Sequence, residues 1–94
     1  MKVIIALANL ITFASASTFA AYSRDYFAGS VENLSKCGCS NISYHGSFHW
    51  YHDGQSGKLY NTKNCKDVAV FTLPSDYDAQ QDTGFKWDSI KIVC

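Results

Sequence analysis

The chain has 94 residues, with 8 basic and 8 acidic side chains, 47% hydrophobic and 15% aromatic residues, and 4 cysteines. Balanced charge leaves no overall basic field to hold nucleic acid or anionic lipid. A chain of this size makes one small domain, and such a domain needs a staple beyond its hydrophobic core.

Met1-Lys2, the apolar run Val3 to Phe13 and then Ala14-Ser15-Ala16 follow the pattern of a charged n-region, an h-region and a small-residue cleavage site. This predicts a secretory signal peptide over residues 1–16, cleaved after Ala16, with cleavage after Ala20 as the later alternative. A membrane-spanning helix needs about 20 apolar residues, and this run is shorter, so no membrane anchor is expected. The mature part, 17–94, is then a single extracellular domain and a monomer. Loss of Lys2 leaves seven basic residues against eight acidic ones.

Cys37, Cys39, Cys65 and Cys94 all fall in the mature part, an even number in a chain bound for an oxidising compartment. Two disulfides follow. Pairing Cys37 with Cys39 would close a strained, tiny ring, so each is expected to bond a distant partner. Cys37–Cys94 with Cys39–Cys65 is favoured, and the crossed pairing stays open. Asn33-Leu34-Ser35 and Asn41-Ile42-Ser43 are N-glycosylation sequons, which makes Asn33 and Asn41 candidate acceptors.

In chain order, Tyr22 to Phe27 reads as a short first strand ended by Gly29-Ser30, and Val31 to Lys36 as a loop or a single helical turn. Cys37-Gly38-Cys39 suits a bend. From Ile42 the period becomes two: Tyr44 precedes His45-Gly46, and Phe48 and Trp50 alternate with His49 and Tyr51, the pattern of a hairpin. Asp53-Gly54 and Ser56-Gly57 mark a second reversal into Lys58 to Asn61. Val68 to Leu73, apolar and β-branched, reads as a central strand stopped by Pro74. Ser75 to Gly84 is a polar loop, and Trp87 to Val93 is a last strand with Ile90, Ile92 and Cys94 on its inner face. About six short strands with regular turn signals predict an all-β fold, a small disulfide-stapled sandwich or Greek-key domain without internal repeats.

The sharpest chemical cluster is His45, His49 and His52 with Asp53. These residues would suit zinc or copper if a hairpin brought His45 and His49 together. The bland reading, a solvated face opposite an aromatic core face, outweighs it, and no metal or cofactor is assigned. Asp76, Asp78 and Asp82 lack the glycine and bidentate glutamate of a calcium loop. A nuclease would need a histidine pair with Glu32 and Arg24 around a phosphate, and no hydrolase elbow is present, so no catalytic residue is assigned. Phe48 and Trp50 should turn inward. That leaves His49, Tyr51, His52 and Tyr60 as the candidate binding surface, for a host or cell-surface protein or a glycan rather than nucleic acid.

The layout of a signal peptide, four cysteines with the last at the C-terminus, and a short aromatic β domain resembles the small secreted cysteine-containing proteins of filamentous fungi. That resemblance implies a non-enzymatic virulence effector, with a secreted antimicrobial or killer-type toxin as the alternative and a nuclease-like enzyme third. Near-neutral charge counts against a membrane-active peptide. A second similarity is local. Tyr22-Ser23-Arg24-Asp25-Tyr26-Phe27-Ala28-Gly29-Ser30 and Trp87-Asp88-Ser89-Ile90-Lys91-Ile92 resemble the start and end of a βγ-crystallin-like Greek-key motif. The paired Asn or Asp that binds calcium in that family is missing before Ser89, so the resemblance does not extend to calcium.

Overall fold

The computed structural model describes residues 17–94; the predicted signal peptide lies outside the described residues. Eight short strands form, β1 (Thr18–Arg24), β2 (Ala28–Leu34), β3 (Gly38–Asn41), β4 (Ser47–Tyr51), β5 (Ser56–Tyr60), β6 (Phe71–Leu73), β7 (Ala79–Gln81) and β8 (Ser89–Val93), with one 3-10 turn, Lys63–Cys65. β4 and β8 bury one face through apolar residues at alternate positions, while β2, β3 and β7, without a buried residue, are held by pairing with β1, β8 and β4. They make two four-stranded antiparallel sheets, ordered β2-β1-β4-β7 and β3-β8-β5-β6. The expected all-β sandwich therefore forms, with eight strands where six were expected.

The strand orders reveal a duplication that the side chains conceal. β1, β2 and β4 build most of the first sheet while β3 crosses to the second, and β5, β6 and β8 build most of the second while β7 crosses to the first. Each half is a Greek key that lends its third strand to the other sheet. Phe19, Ile42, Phe48, Trp50, Leu59, Leu73, Phe85, Ile90 and Ile92 fill the space between the sheets. Phe48 packs against Phe19 at 4.9 Å between ring centroids and meets Phe85 edge-on at 5.5 Å. Trp50 has no exposed surface, and its indole N–H donates to the Pro74 carbonyl at 2.7 Å, so its one polar group is satisfied inside the core.

The two halves close in the same way. In the first, Ser47 Oγ donates to the Arg24 carbonyl (2.7 Å) and accepts from the Phe27 N–H (2.9 Å). In the second, Ser89 Oγ donates to the Thr62 carbonyl and accepts from the Cys65 N–H (2.9 Å). Both serines are fully buried. The folded hairpins they hold share a run of left-handed residues, Tyr26 (φ 58), Phe27 (φ 57) and Gly29 (φ 81) in one, Asn64 (φ 64), Cys65 (φ 53) and Asp67 (φ 66) in the other. Gly46 lies against β1, where a Cβ would overlap the backbone of Arg24, and its N–H donates to the Tyr22 carbonyl at 2.8 Å.

Disulfides join Cys37 to Cys94 and Cys39 to Cys65, with Cα–Cα distances of 5.8 and 6.0 Å. The first ties the approach to β3 to the chain end after β8, and the second ties β3 to the 3-10 turn.

Several expected elements form differently. Val31 to Leu34 belongs to β2, neither a loop nor a helical turn, because it pairs with β1 from Tyr22↔Val31 to Phe19↔Leu34. The hairpin expected across His45-Gly46 does not exist: β3 and β4 lie in different sheets, and Ile42 to Gly46 is the crossing between them. Glu32 Oε2 fixes that crossing by accepting the Ser43 and Tyr44 N–H groups at 2.6 and 2.8 Å. The expected central strand at Val68 to Leu73 is only the three-residue edge strand β6, with Val68 80% exposed. The polar loop from Ser75 contains β7, which pairs with β4. Cys94 is exposed rather than turned inward with Ile90 and Ile92.

Candidate functional site

On β4 the inward residues are Phe48 and Trp50, so the alternation puts His49 and Tyr51 on the outer face of the first sheet. There the His49 and Tyr51 rings stack at 3.9 Å with 6° between their planes. Phe27, brought over the sheet by the folded hairpin, lies 6.1 Å from the His49 ring and 5.6 Å from Tyr22. The result is an aromatic strip crossing β1 and β4. Tyr51 keeps 43% of its surface exposed at the strip's end, while Tyr26 stands exposed at the hairpin tip. Lost hydration against its neighbours, then a hydrogen bond with Tyr22 and the negative field of Asp78, raise the Tyr51 phenol above its ordinary value.

The strand ends at Tyr51, which frees His52 from the alternation that would have sent it to the opposite side. His52 turns back toward Asp78, whose carboxylate lies 3.7 Å from His49 Nε2 and 3.8 Å from His52 Nε2 and also accepts the His52 N–H at 3.0 Å. His52 Nδ1 is buried without a hydrogen-bond partner. His45 belongs elsewhere, against Asp88 at 3.1 Å and the ring of Phe85 at 5.3 Å. The three histidines thus divide between two carboxylates. Asp53 is tied to Ser17 Oγ through its N–H. Among the described residues no group of three or more His, Cys, Asp or Glu side chains is placed to hold a metal ion, and no pocket opens.

His49, Tyr51 and His52 therefore share one surface, and Tyr60 does not. Tyr60 lies in β5 of the other sheet and is 7% exposed, because the folded turn covers the end of its strand. Tyr22 and Phe27 take its place beside His49. They escape notice in the sequence because only the left-handed hairpin brings Phe27 over the sheet. Glu32, held by the β3–β4 crossing, is committed to that loop instead of joining a histidine pair. Asn33 is exposed on β2. Asn41 exchanges two hydrogen bonds with Asn64, its Nδ2 donating to Asn64 Oδ1 (3.1 Å) and its Oδ1 accepting the Asn64 N–H (2.7 Å), so the atom that would carry a glycan is already engaged.

A family model described as MiAMP1 matches residues 17–94, the whole of the described domain. The chain belongs to the MiAMP1 family. It is 38% identical over 81 residues to Antimicrobial peptide 1 of Pinus monticola, an alignment covering 84% of this chain and 76% of that protein. It is 35% identical over 95 residues to Antimicrobial peptide 1 of Macadamia integrifolia, covering 97% and 91%. The solution structure of MiAMP1, a plant antimicrobial protein, superposes with a TM-score of 0.74 at 35% identity, covering 82% of this chain and 99% of that one. The Greek-key resemblance thus leads to a small cysteine-containing family of plant antimicrobial proteins. The likeness to fungal effectors, which rested on cysteine layout, is replaced: MiAMP1 relatives carry antimicrobial names and come from plants.

Proposed function

We propose that this protein is a secreted antimicrobial protein that acts outside the cell by binding, without catalysis, after removal of residues 1–16. The observation that carries the reading is the family match over the complete two-sheet domain, together with relatives named as antimicrobial peptides. A virulence effector has no comparable support. The surface around His49, Tyr51 and His52 suits a cell-surface protein or glycan, because stacked aromatic rings beside a carboxylate offer both apolar faces and hydrogen-bond acceptors.

The test is growth inhibition of a panel of fungi and bacteria by the purified, oxidised mature chain. Inhibition that disappears when the two disulfides are reduced and alkylated supports the reading; an oxidised, folded protein that inhibits none of them overturns it. The double variant His49→Ala/Tyr51→Ala should fold with unchanged disulfides and lose most of the inhibition. Full activity in that variant would remove this face from the mechanism.

A further inference from the structure

The second sheet carries a different chemistry on its outer face. Its four strands contain two charged residues, Lys58 and Lys91, and both are lysines. They are register partners on adjacent antiparallel strands, in a row that runs Cys39, Lys91, Lys58, Thr72 across all four strands. Directly opposed like charges weaken a sheet. Among the described residues, each ion pair joins a histidine to an aspartate, so neither lysine is neutralised within the fold.

The alternation that turns Ile90 and Ile92 inward sends Ser89, Lys91 and Val93 outward. Because Ser89 grips the Thr62 carbonyl and the Cys65 N–H, and Cys65 is bonded to Cys39, the register partner of Lys91, the 3-10 turn is fastened to this sheet together with the exposed Lys63 and, just after it, Lys66. Two acids lie near this sheet, Asp67 just after the turn and Asp88 just before β8, the latter engaged by His45 at 3.1 Å, whereas Asp25, Glu32, Asp53, Asp76, Asp78 and Asp82 lie on the first sheet, its hairpin and the connecting loops. A chain of nearly balanced charge is therefore polar, with a cationic face on the second sheet. Apolar side chains accompany the lysines: Val93 stands two residues along from Lys91, and Val68 and Val70 are exposed in the run between the turn and β6.

We propose that this face docks on the anionic phospholipid headgroups of a membrane surface. Four unneutralised lysines supply the attraction to lipid phosphates. The exposed valines decide between a bilayer and a soluble polyanion, since apolar groups gain nothing from a free anion but bury against the interface of a membrane. The proposal supplies a partner for the antimicrobial reading and rests on it for biological meaning, although the binding is measurable separately.

The experiment is sedimentation of the oxidised mature chain with phosphatidylcholine vesicles, with and without phosphatidylglycerol, at low and high salt. Binding should require the anionic lipid and fall away at high salt. Each lysine removed should lower partitioning about fivefold, so that Lys58→Gln/Lys91→Gln loses about 25-fold. Arg24→Gln removes one positive charge on the other sheet and should leave partitioning nearly unchanged, and Val68→Ser should weaken it. Circular dichroism and the denaturation midpoint establish that each variant is folded. Equal binding to neutral vesicles, an Arg24→Gln loss matching that of a single lysine, or capture by a soluble sulfated polysaccharide without vesicle binding would each overturn the proposal. Growth inhibition without vesicle binding sinks the docking surface alone, and vesicle binding without growth inhibition sinks the antimicrobial reading alone.

Discussion

The two Greek-key halves reach the same backbone by different means. Each folds its first hairpin over a sheet and holds it with a buried serine, Ser47 in one and Ser89 in the other. In the first half the hairpin is packed by aromatics, Phe27 against Tyr22 and His49. In the second it carries Cys65 and is tied to β3 by a disulfide. The strands β4 and β8 repeat the contrast. Both run serine, apolar, outward, apolar, outward, but the outward pairs are His49 and Tyr51 in one and Lys91 and Val93 in the other. Inward positions are bound to the shared core, while outward positions are free to make two unlike surfaces.

The largest break in this comparison should come from the cross-link. Replacing Cys39 and Cys65 together by alanine opens a loop of 26 residues and should cost about 3.5 kcal/mol in the chain-entropy account. Urea denaturation would measure it. A loss below about 1 kcal/mol would mean that the serine alone holds the second hairpin as the aromatics hold the first, against the range of 2–5 kcal/mol for native disulfides in small secreted domains.

Next come the serines. Ser47→Ala and Ser89→Ala each strand a part-buried backbone N–H and carbonyl, a loss of about 1–2 kcal/mol. In the oxidised protein Ser89→Ala should be the milder, because the disulfide still holds Cys65 in place. Its cost should rise once the Cys39–Cys65 bond is removed, whereas the cost of Ser47→Ala should not. Equal costs in both backgrounds would show that clasp and cross-link act independently.

A smaller effect tests the equivalence of the two left-handed hairpins. Gly29 and Asp67 occupy corresponding positions at φ 81 and φ 66. Gly29→Ala places a Cβ against Ser23 Oγ in a conformation that side chains resist, and should destabilise by about 1–2 kcal/mol. Asp67→Gly should stabilise by about 0.5–1 kcal/mol by relieving the same resistance. Thermal unfolding midpoints moving in opposite directions would confirm the correspondence.

Legibility in the sequence follows from which signals are local. Phe48 and Trp50 were readable because alternation with His49 and Tyr51 is a property of adjacent residues, and Ile90 and Ile92 likewise. Val68 to Leu73 misled because β-branched apolar residues suit any strand, and nothing local separates a buried strand from an edge. β7, Ala79-Gln80-Gln81, has no strand-forming side chain and exists because β4 offers it hydrogen bonds. The duplication is written in backbone angles, where Tyr26 and Phe27 correspond to Asn64 and Cys65, residue pairs without chemical likeness. A trace survives in Ser47-Phe48-His49-Trp50 and Ser89-Ile90-Lys91-Ile92, where a small hydroxyl residue opens an alternating strand. Net charge conceals the lysine face for a simpler reason: it sums over the whole molecule, in which the charged strand residues of the second sheet are both lysines while Arg24 and Glu32 cancel on the first.

The smallest effect reaches the outer surfaces themselves, through Tyr51, which stands where β8 carries Val93. Lost hydration and the Tyr22 hydrogen bond favour the neutral phenol of Tyr51, so the folded protein keeps that proton when the unfolded chain has begun to release it, near pH 10. The sign follows from linkage: a raised folded-state value contributes stability that is complete below the unfolded value and is lost as pH climbs through the folded one. The stability difference between the protein and Tyr51→Phe should therefore be constant from pH 7 to 9 and shrink above about pH 10. Val93→Ala, made at the corresponding place on the other sheet, should show no such dependence. An unchanging Tyr51→Phe difference up to pH 11 would mean that the phenol on the aromatic strip is as freely hydrated as its partial exposure alone suggests, and that the two outer faces differ in charge but not in how tightly they are built.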